Sequence, residues 1–283
     1  MSSPRVVIVT GCSAGGIGSA LCAEFAKRGC KVYATARRLE AMASLTHANI
    51  EHLRMDVTDD NSVNSAIEEV IQKEGRIDML VNNAGVICSG SIIDVPLETI
   101  QRTFDANVFG AIRTSRAVIP HMASRKSGTI VNVGSFLAEL PMPFSGIYAA
   151  SKAALHSITD ALYMECLPFN VSVVLVSSGG AQSQAIGRDR ENSGLPPTTL
   201  YADYIDVIRE QTDPGRSAMG TPLNQYSQEL VGRVLKQCPP RYVSVGYGTT
   251  IVWLLQWLPR GFLYRLIWNY VIEKRRVELK KAQ

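Results

Sequence analysis

The sequence predicts an α/β fold: a doubly wound sheet of about seven parallel strands with helices on both faces. Two observations predict it. Short β-branched apolar runs alternate with segments of helical periodicity for most of the length, as in repeated strand–helix–strand units with right-handed crossovers. The residues that break this pattern (Gly11 to Gly18, Arg37, Asp56, Asn82 to Gly85, Ser135 and Gly179-Gly180) each fall just after an apolar run. Ligands collect at that end of the strands in such sheets. With 283 residues, 46% hydrophobic and 19% charged, the chain can bury one large core and is not compositionally disordered.

Residues 6–10 (VVIVT) are all β-branched and read as the first strand. Residues 16–28 read as a helix with Leu21, Phe25 and Ala26 on one face. Strands at 31–35 and 50–55 follow, then a helix at 61–73. The fourth strand, 79–81, is cut off by Asn82-Asn83-Ala84-Gly85. A long helix spans 97–124, with Pro120 as the expected point of bending. Then come a strand at 129–133, a helix at 148–167, and strands at 171–176 and 242–245. The stretch 182–226 is rich in Gly, Pro, Ser and Thr, with one helical piece at 201–211, and reads as a substrate loop. Residues 1–248 are thus expected to form one catalytic domain. Residues 249–283 form an apolar, aromatic extension with a basic tail.

Net charge is +4, without a dense basic stripe outside the extreme C-terminus, so nucleic acid is not an expected partner. The six cysteines include no CxxC spacing, so neither a metal site nor a redox motif is indicated. They fit a reducing, cytoplasmic setting, and the N-terminus runs into a strand without an apolar signal segment.

Thr10-Gly11-Cys12-Ser13-Ala14-Gly15-Gly16-Ile17-Gly18 lies between a strand and a helix. Glycines there let backbone approach a pyrophosphate, and the helix N-terminus offers N–H donors and positive potential. Gly11, Ser13, Gly16, Ile17 and Gly18 are the expected contacts. After the second strand stand Arg37 and Arg38, with no acid until Glu40. A carboxylate there would hold a ribose 2′-hydroxyl, whereas a guanidinium holds a 2′-phosphate bidentately. The expected cofactor is therefore NADPH/NADP+, with Arg37 as main contact and Ser13 assisting; the alternative is a pair of solvated surface charges. Asp56, with Val57 beside it, is expected near the adenine amino group; the alternative for Asp56 is a helix cap near 58–61. Asn83, Ala84 and Gly85 place small residues beneath the cofactor, and Gly180 follows the sixth strand.

Tyr148 and Lys152 lie four apart on a helix and share a face. A phenol titrates near ~10, and a neighbouring ammonium and a nicotinamide cation both favour the phenolate, so Lys152 with the cofactor is expected to lower the Tyr148 pKa. Ser135, after the fifth strand, is expected to bond the substrate oxygen. Asn107, an unfavourable residue in mid-helix, is expected to hold a proton-relay water for Lys152 at a local helix interruption.

Together these motifs resemble the short-chain dehydrogenase/reductase family, over roughly residues 5–183. The resemblance implies a Rossmann-type fold and the catalytic tetrad Asn107, Ser135, Tyr148 and Lys152. It also implies that Lys152 and Tyr148 touch the cofactor and that the chain forms a homo-oligomer. Two departures stand out: the glycine turn is one residue longer than usual, and Gly179-Gly180 replaces the usual Pro-Gly. Within the family, the glycine turn, Tyr33-Ala-Thr-Ala-Arg-Arg38 and the apolar tail resemble fungal 1-acyldihydroxyacetone-phosphate reductases. Lys31-Val-Tyr-Ala-Thr-x-Arg37 also resembles 17β-hydroxysteroid dehydrogenases, and fungal secondary-metabolite ketoreductases share the motif set. The implied reaction is hydride transfer to the carbonyl of a bulky, lipid-like substrate, with Tyr148 as proton donor. The reverse oxidation and a non-catalytic NADPH-binding scaffold are the rivals.

Trp253, Trp257 and Trp268, all the tryptophans, lie in the last 31 residues, and 274–281 contribute five basic side chains. Neither apolar piece reaches the roughly 20 residues that span a bilayer. Two arrangements stay open: residues 249–272 lie on a cytosolic membrane face, of endoplasmic reticulum or lipid droplet, or they pack over the substrate pocket or a sister subunit.

Overall fold

The computed structural model describes residues 3–184, 196, 198–211 and 220–282. Parts of the expected substrate loop, 185–195, 197 and 212–219, lie outside the described residues. The strands are β1 (Val6–Thr10), β2 (Lys31–Ala36), β3 (Ile50–Arg54), β4 (Met79–Asn82), β5 (Gly128–Val133), β6 (Val171–Ser178) and β7 (Tyr242–Val245). All pair in parallel, in the order β3-β2-β1-β4-β5-β6-β7. The chain reverses its direction of winding between β1 and β4, which opens the ligand crevice there.

Both faces of the sheet are covered, so strand residues read as continuous apolar runs yet divide with a period of two. Val7 and Val9 join one core with Leu21 and Phe25 of α1 (Ile17–Lys27) and Leu230 and Val231 of α7 (Leu223–Val234). Val6 and Ile8 join the opposite core with Val63 and Ile67 of α2 (Asp60–Glu74) and Val118 and Met122 of α4 (Gly110–Ser124). Each such buried side chain contributes roughly 1.5–3 kcal/mol through burial. The α2 start is fixed by Asp59, whose side chain accepts the Asn61 N–H, and its end by Gly75 in the left-handed region at φ 70°.

The interruption expected at Asn107 is present, and the end of the expected substrate loop is corrected. The long helix is α3 (Leu97–Phe104), a π-turn (Asp105–Phe109) and α4, so the interruption falls at Asn107, while Pro120 sits inside α4 without ending it. The loop expected to reach residue 226 ends earlier, because α7 begins at Leu223 behind Pro222. The extension is helical: α8 (Thr249–Leu255), α9 (Arg260–Ile267), a π-turn (Trp268–Glu273) and α10 (Lys274–Ala282). Pro259 is the N-cap of α9, so the two apolar pieces form separate helices on either side of it. Among the described residues, no helix is long and apolar enough to cross a membrane.

The extension packs back on the domain. Val252, Leu263 and Ile267 bury against Leu140, and Ile272 buries with Phe144, Val207 and Ile208. Its basic tail is largely neutralised within the chain. Arg275 pairs with Glu210 of α6 (Ile205–Gln211) and with Glu278, Arg276 with Asp203 and Glu273, and Lys280 with Asp203.

Candidate active site

The glycine turn is shaped by close backbone approach. Gly11 has φ +73°, and a Cβ there would lie 2.7 Å from the Ala84 Cα; a Cβ on Gly18 would lie 2.5 Å from the Gly11 carbonyl oxygen. The N-terminus of α1 carries no side-chain cap and no acidic residue in its first turn. Its N–H groups and dipole therefore remain suited to an anion. Cys12 N–H donates to the Thr35 carbonyl and Ala14 N–H to that of Ala41, which ties the turn to the segment after β2. Ser13 and Arg37 thus stand on the same rim. Arg37 and Arg38 are exposed, and no ion pair is recorded for either among the described residues. The residues present fit a dinucleotide carrying a 2′-phosphate.

Asn83 acts here through the turn. Its side-chain amide donates to the carbonyls of Thr10 and Gly11, while Thr10 Oγ1 accepts the Asn83 and Ala84 N–H groups. Val57 packs where a Cβ on Gly110 would lie 2.8 Å from it, which fixes the loop after β3 against α4. Asp56 Oδ1 accepts the Thr58 N–H and hydroxyl, so Asp56 closes a local turn, and the helix cap that was its alternative role belongs to Asp59. Gly180, the expected contact after β6, is held by its backbone: its N–H donates to the Tyr247 carbonyl, and its carbonyl accepts from Tyr247 and Thr221. The glycines in place of Pro-Gly are explained by packing, since a Cβ on Gly179 would lie 2.4 Å from the Tyr247 carbonyl oxygen. Gln184 was not foreseen. It lies over the glycine turn, where a Cβ on Gly15 would be 2.6 Å from its side chain.

Ser135, Tyr148 and Lys152 meet at the ends of β4 and β5. Tyr148 and Lys152 project from α5 (Gly146–Cys166), and Ser135 follows β5 in extended conformation at φ −158°. Burial pushes the Tyr148 phenol up to about 12, and a hydrogen bond with Ser135 partly offsets that. Burial lowers Lys152 to about 8. Its ammonium donates to the Val133 carbonyl at 2.9 Å and lies 5.9 Å from the Tyr148 ring centroid. Burial is thus the leading influence on the phenol within the protein itself, and Ser135 is the side chain that opposes it. The result holds a proton on Tyr148 and a charge on Lys152 at neutral pH.

Asn107 sits in the π-turn as expected, but its side chain is engaged. Oδ1 accepts the Val86 N–H at 2.7 Å, and Nδ2 donates to the Val86 carbonyl and Ser151 Oγ. It joins the loop after β4 to α5. A Cβ on Gly85 would lie 3.0 Å from Asn107 Oδ1 and 3.6 Å from Lys152 Nζ, so a side chain there would press on the Asn107 amide.

A cavity of about 320 Å³ opens beside the first turn of α5. Ile92, Met142, Phe144 and Gly146 form one side, and Tyr264, Ile267 and Trp268 of the extension form the other. No tetrad side chain is in its walls; Gly146, two residues before Tyr148, links the two. The inner face of the extension thus packs on the domain and lines this cavity. Its outer face is apolar and exposed, Trp257 at 79% and Phe262 at 59%.

A parallel sheet with a glycine turn at its switch point and a Ser–Tyr–Lys cluster at its carboxyl edge defines a dinucleotide-dependent oxidoreductase. Residues 5–194 match the family model described as short chain dehydrogenase, and the chain belongs to the short-chain dehydrogenase/reductase family. It is 39% identical over 219 residues to the NADPH-dependent 1-acyldihydroxyacetone phosphate reductase of Schizosaccharomyces pombe, covering 76% of this chain and 73% of that one. It is 34% identical over 270 residues to a short-chain dehydrogenase of Hypocrea virens, covering 94% and 90%. A short-chain dehydrogenase from Streptomyces avermitilis superposes with TM-score 0.78 at 26% identity, over 99% of this chain and 97% of that one. A metagenomic short-chain oxidoreductase in complex with NADP gives TM-score 0.60 at 28% identity, over 64% and 86%.

Proposed function

We propose that this oxidoreductase is an NADPH-dependent carbonyl reductase for bulky, lipid-like ketones, with acyl-dihydroxyacetone phosphate as the leading candidate. The observation that carries the reading is the Ser135–Tyr148–Lys152 cluster beside an apolar cavity. The exposed Arg37 on the rim, without an ion pair among the described residues, and the name of the Schizosaccharomyces pombe relative support NADPH. When bound, the reduced nicotinamide supplies a hydride to the carbonyl carbon. Tyr148 gives its proton to the carbonyl oxygen, Ser135 orients that oxygen, and Lys152 offsets the charge left on the phenol. Asn107 holds the site's walls together. The cavity receives the apolar part of the substrate. NADPH absorbance should fall with long-chain acyl-dihydroxyacetone phosphates faster than with steroid or polyketide ketones. No consumption across that panel would favour the non-catalytic scaffold and defeat the proposal. Consumption only with polyketides would move the substrate class to that of a secondary-metabolite ketoreductase.

The outer face of α8 and α9 supports contact with a lipid surface, at endoplasmic reticulum or lipid droplet. Trp253, Leu254, Trp257 and Phe262 are exposed, and residues 249–272 contain Arg260 and Arg265 but no carboxylate. Two copies meeting through this face would bring four arginines together without an acid, which disfavours a dimer there. In the full chain, W253S/W257S is expected to weaken co-sedimentation with vesicles containing phosphatidylserine at least roughly tenfold. Unchanged sedimentation of that variant rejects the idea. The homo-oligomer implied by family resemblance is read by light scattering.

A further inference from the structure

We propose that His156 is a positioning residue for Ser135: its neutral imidazole accepts the Ser135 backbone N–H and so aims the Ser135 hydroxyl at Tyr148. His156 lies one turn after Lys152 and two after Tyr148, so α5 presents all three along one side. Ser135 N–H donates to His156 Nε2 at 3.2 Å. The backbone is cut to fit the ring: a Cβ on Gly134 would lie 2.1 Å from Nε2. With Nε2 accepting, the ring proton rests on Nδ1, which faces Glu139 Oε1 at 4.0 Å. Glu139 is held in turn by Ser177 of β6 and Gln256 at the end of α8. Gln256, Glu139, His156 and Ser135 thus lie in line, hydrogen-bonded except across the 4.0 Å between Glu139 and His156.

The Ser135 hydroxyl has few other restraints. Its Oγ accepts the Leu137 N–H at 3.2 Å and otherwise faces the phenol. Loss of the backbone anchor would let residue 135 rotate. The charged groups facing His156 are Glu139 from the loop after β5, and Lys152 and Asp160 from α5. Burial, the largest influence, lowers its pKa below 6.5; Glu139 and Asp160 oppose this and Lys152 adds to it. His156 is thus neutral at pH 7. As pH falls through its lowered pKa, Nε2 gains a proton, meets the Ser135 N–H donor to donor, and the contact breaks.

The kinetic arm rests on the carbonyl-reductase reading and uses hexadecanoyl-dihydroxyacetone phosphate as probe. H156L keeps volume and removes the acceptor; kcat should fall roughly 10- to 100-fold with little change in the KM for NADPH. H156Q places an oxygen near the Nε2 position and should restore kcat to within roughly threefold of the wild type. The wild-type acid limb of kcat should vanish in H156Q. Wild-type kcat in H156L, equal losses in both variants, or a persisting acid limb in H156Q would each overturn the proposal. If the wild type consumes no NADPH, the carbonyl-reductase reading fails instead, and ¹⁵N NMR of the wild type still decides. An unprotonated Nε2 at pH 7, with a Ser135 amide shift that tracks the His156 titration, supports the contact, and a protonated Nε2 at pH 7 overturns it. This arm also decides if H156L fails to fold.

Discussion

Tyr148→Phe should lower kcat on the order of 10³-fold while the dissociation constant for NADPH stays within about twofold. The substitution removes one oxygen and keeps the ring that α5 presents to the site. The glycine turn, Arg37 and the Ser135 loop do not depend on that oxygen: Ser135 is anchored through its backbone N–H and through the Leu137 N–H. What is lost is the proton delivered to the nascent alkoxide. Steady-state kinetics and fluorescence titration of NADPH separate the two quantities. Turnover within tenfold of the wild type would assign the proton to another group. The same argument fixes a basic limb. Tyr148, raised to about 12, keeps its proton throughout the ordinary range. Lys152, lowered to about 8, is charged below that pH and neutral above it. Reduction should therefore slow as pH rises through about 8, because the phenolate left after proton transfer loses its neighbouring cation.

The parts of the molecule legible in the sequence are those in which one local pattern carries one physical demand. Val6–Thr10 reads as a strand because every residue is β-branched and both faces are buried. The glycine turn reads as a cofactor site because backbone must approach backbone at Gly11 and Gly18. Tyr148 and Lys152 read as partners because a helix aligns residues four apart. What was not legible depends on contacts between distant segments. A single histidine in a helix has no spacing signal, and the role of His156 appears only with Gly134 packed against its ring. The Asn107 side chain looked available until Val86, 21 positions away, took both its groups. The basic tail carries no local sign of its partners, because Arg275 and Arg276 meet Glu210 and Asp203, more than sixty positions upstream. Pro222 hid the start of α7, since the local composition around it is that of a loop.

Arg37→Asp should invert the cofactor preference. Arg37 follows β2 directly, and its carbonyl accepts from Arg54 Nε at 3.3 Å, so the backbone is held while the side chain reaches outward. The links Cys12 to Thr35 and Ala14 to Ala41 bring this segment beside the glycine turn, where the adenosine ribose of a bound dinucleotide must lie. A guanidinium there forms charge-assisted, bidentate bonds to a 2′-phosphate, each worth roughly 1.5–3 kcal/mol. An aspartate removes that attraction and repels the same phosphate, yet accepts hydrogen bonds from an unphosphorylated ribose. The expected result is a fall in kcat/KM for NADPH of roughly 10²- to 10³-fold, with kcat/KM for NADH unchanged or raised. Arg38→Asp should cost NADPH less than tenfold, because Arg38 lies one residue beyond the rim position that follows β2, as the N-cap of the 3₁₀ turn at Leu39–Met42. Equal losses for NADPH and NADH in Arg37→Asp would mean that the substitution damages the turn rather than the phosphate contact. An unchanged NADPH preference in Arg37→Asp would place the 2′-phosphate on other side chains altogether.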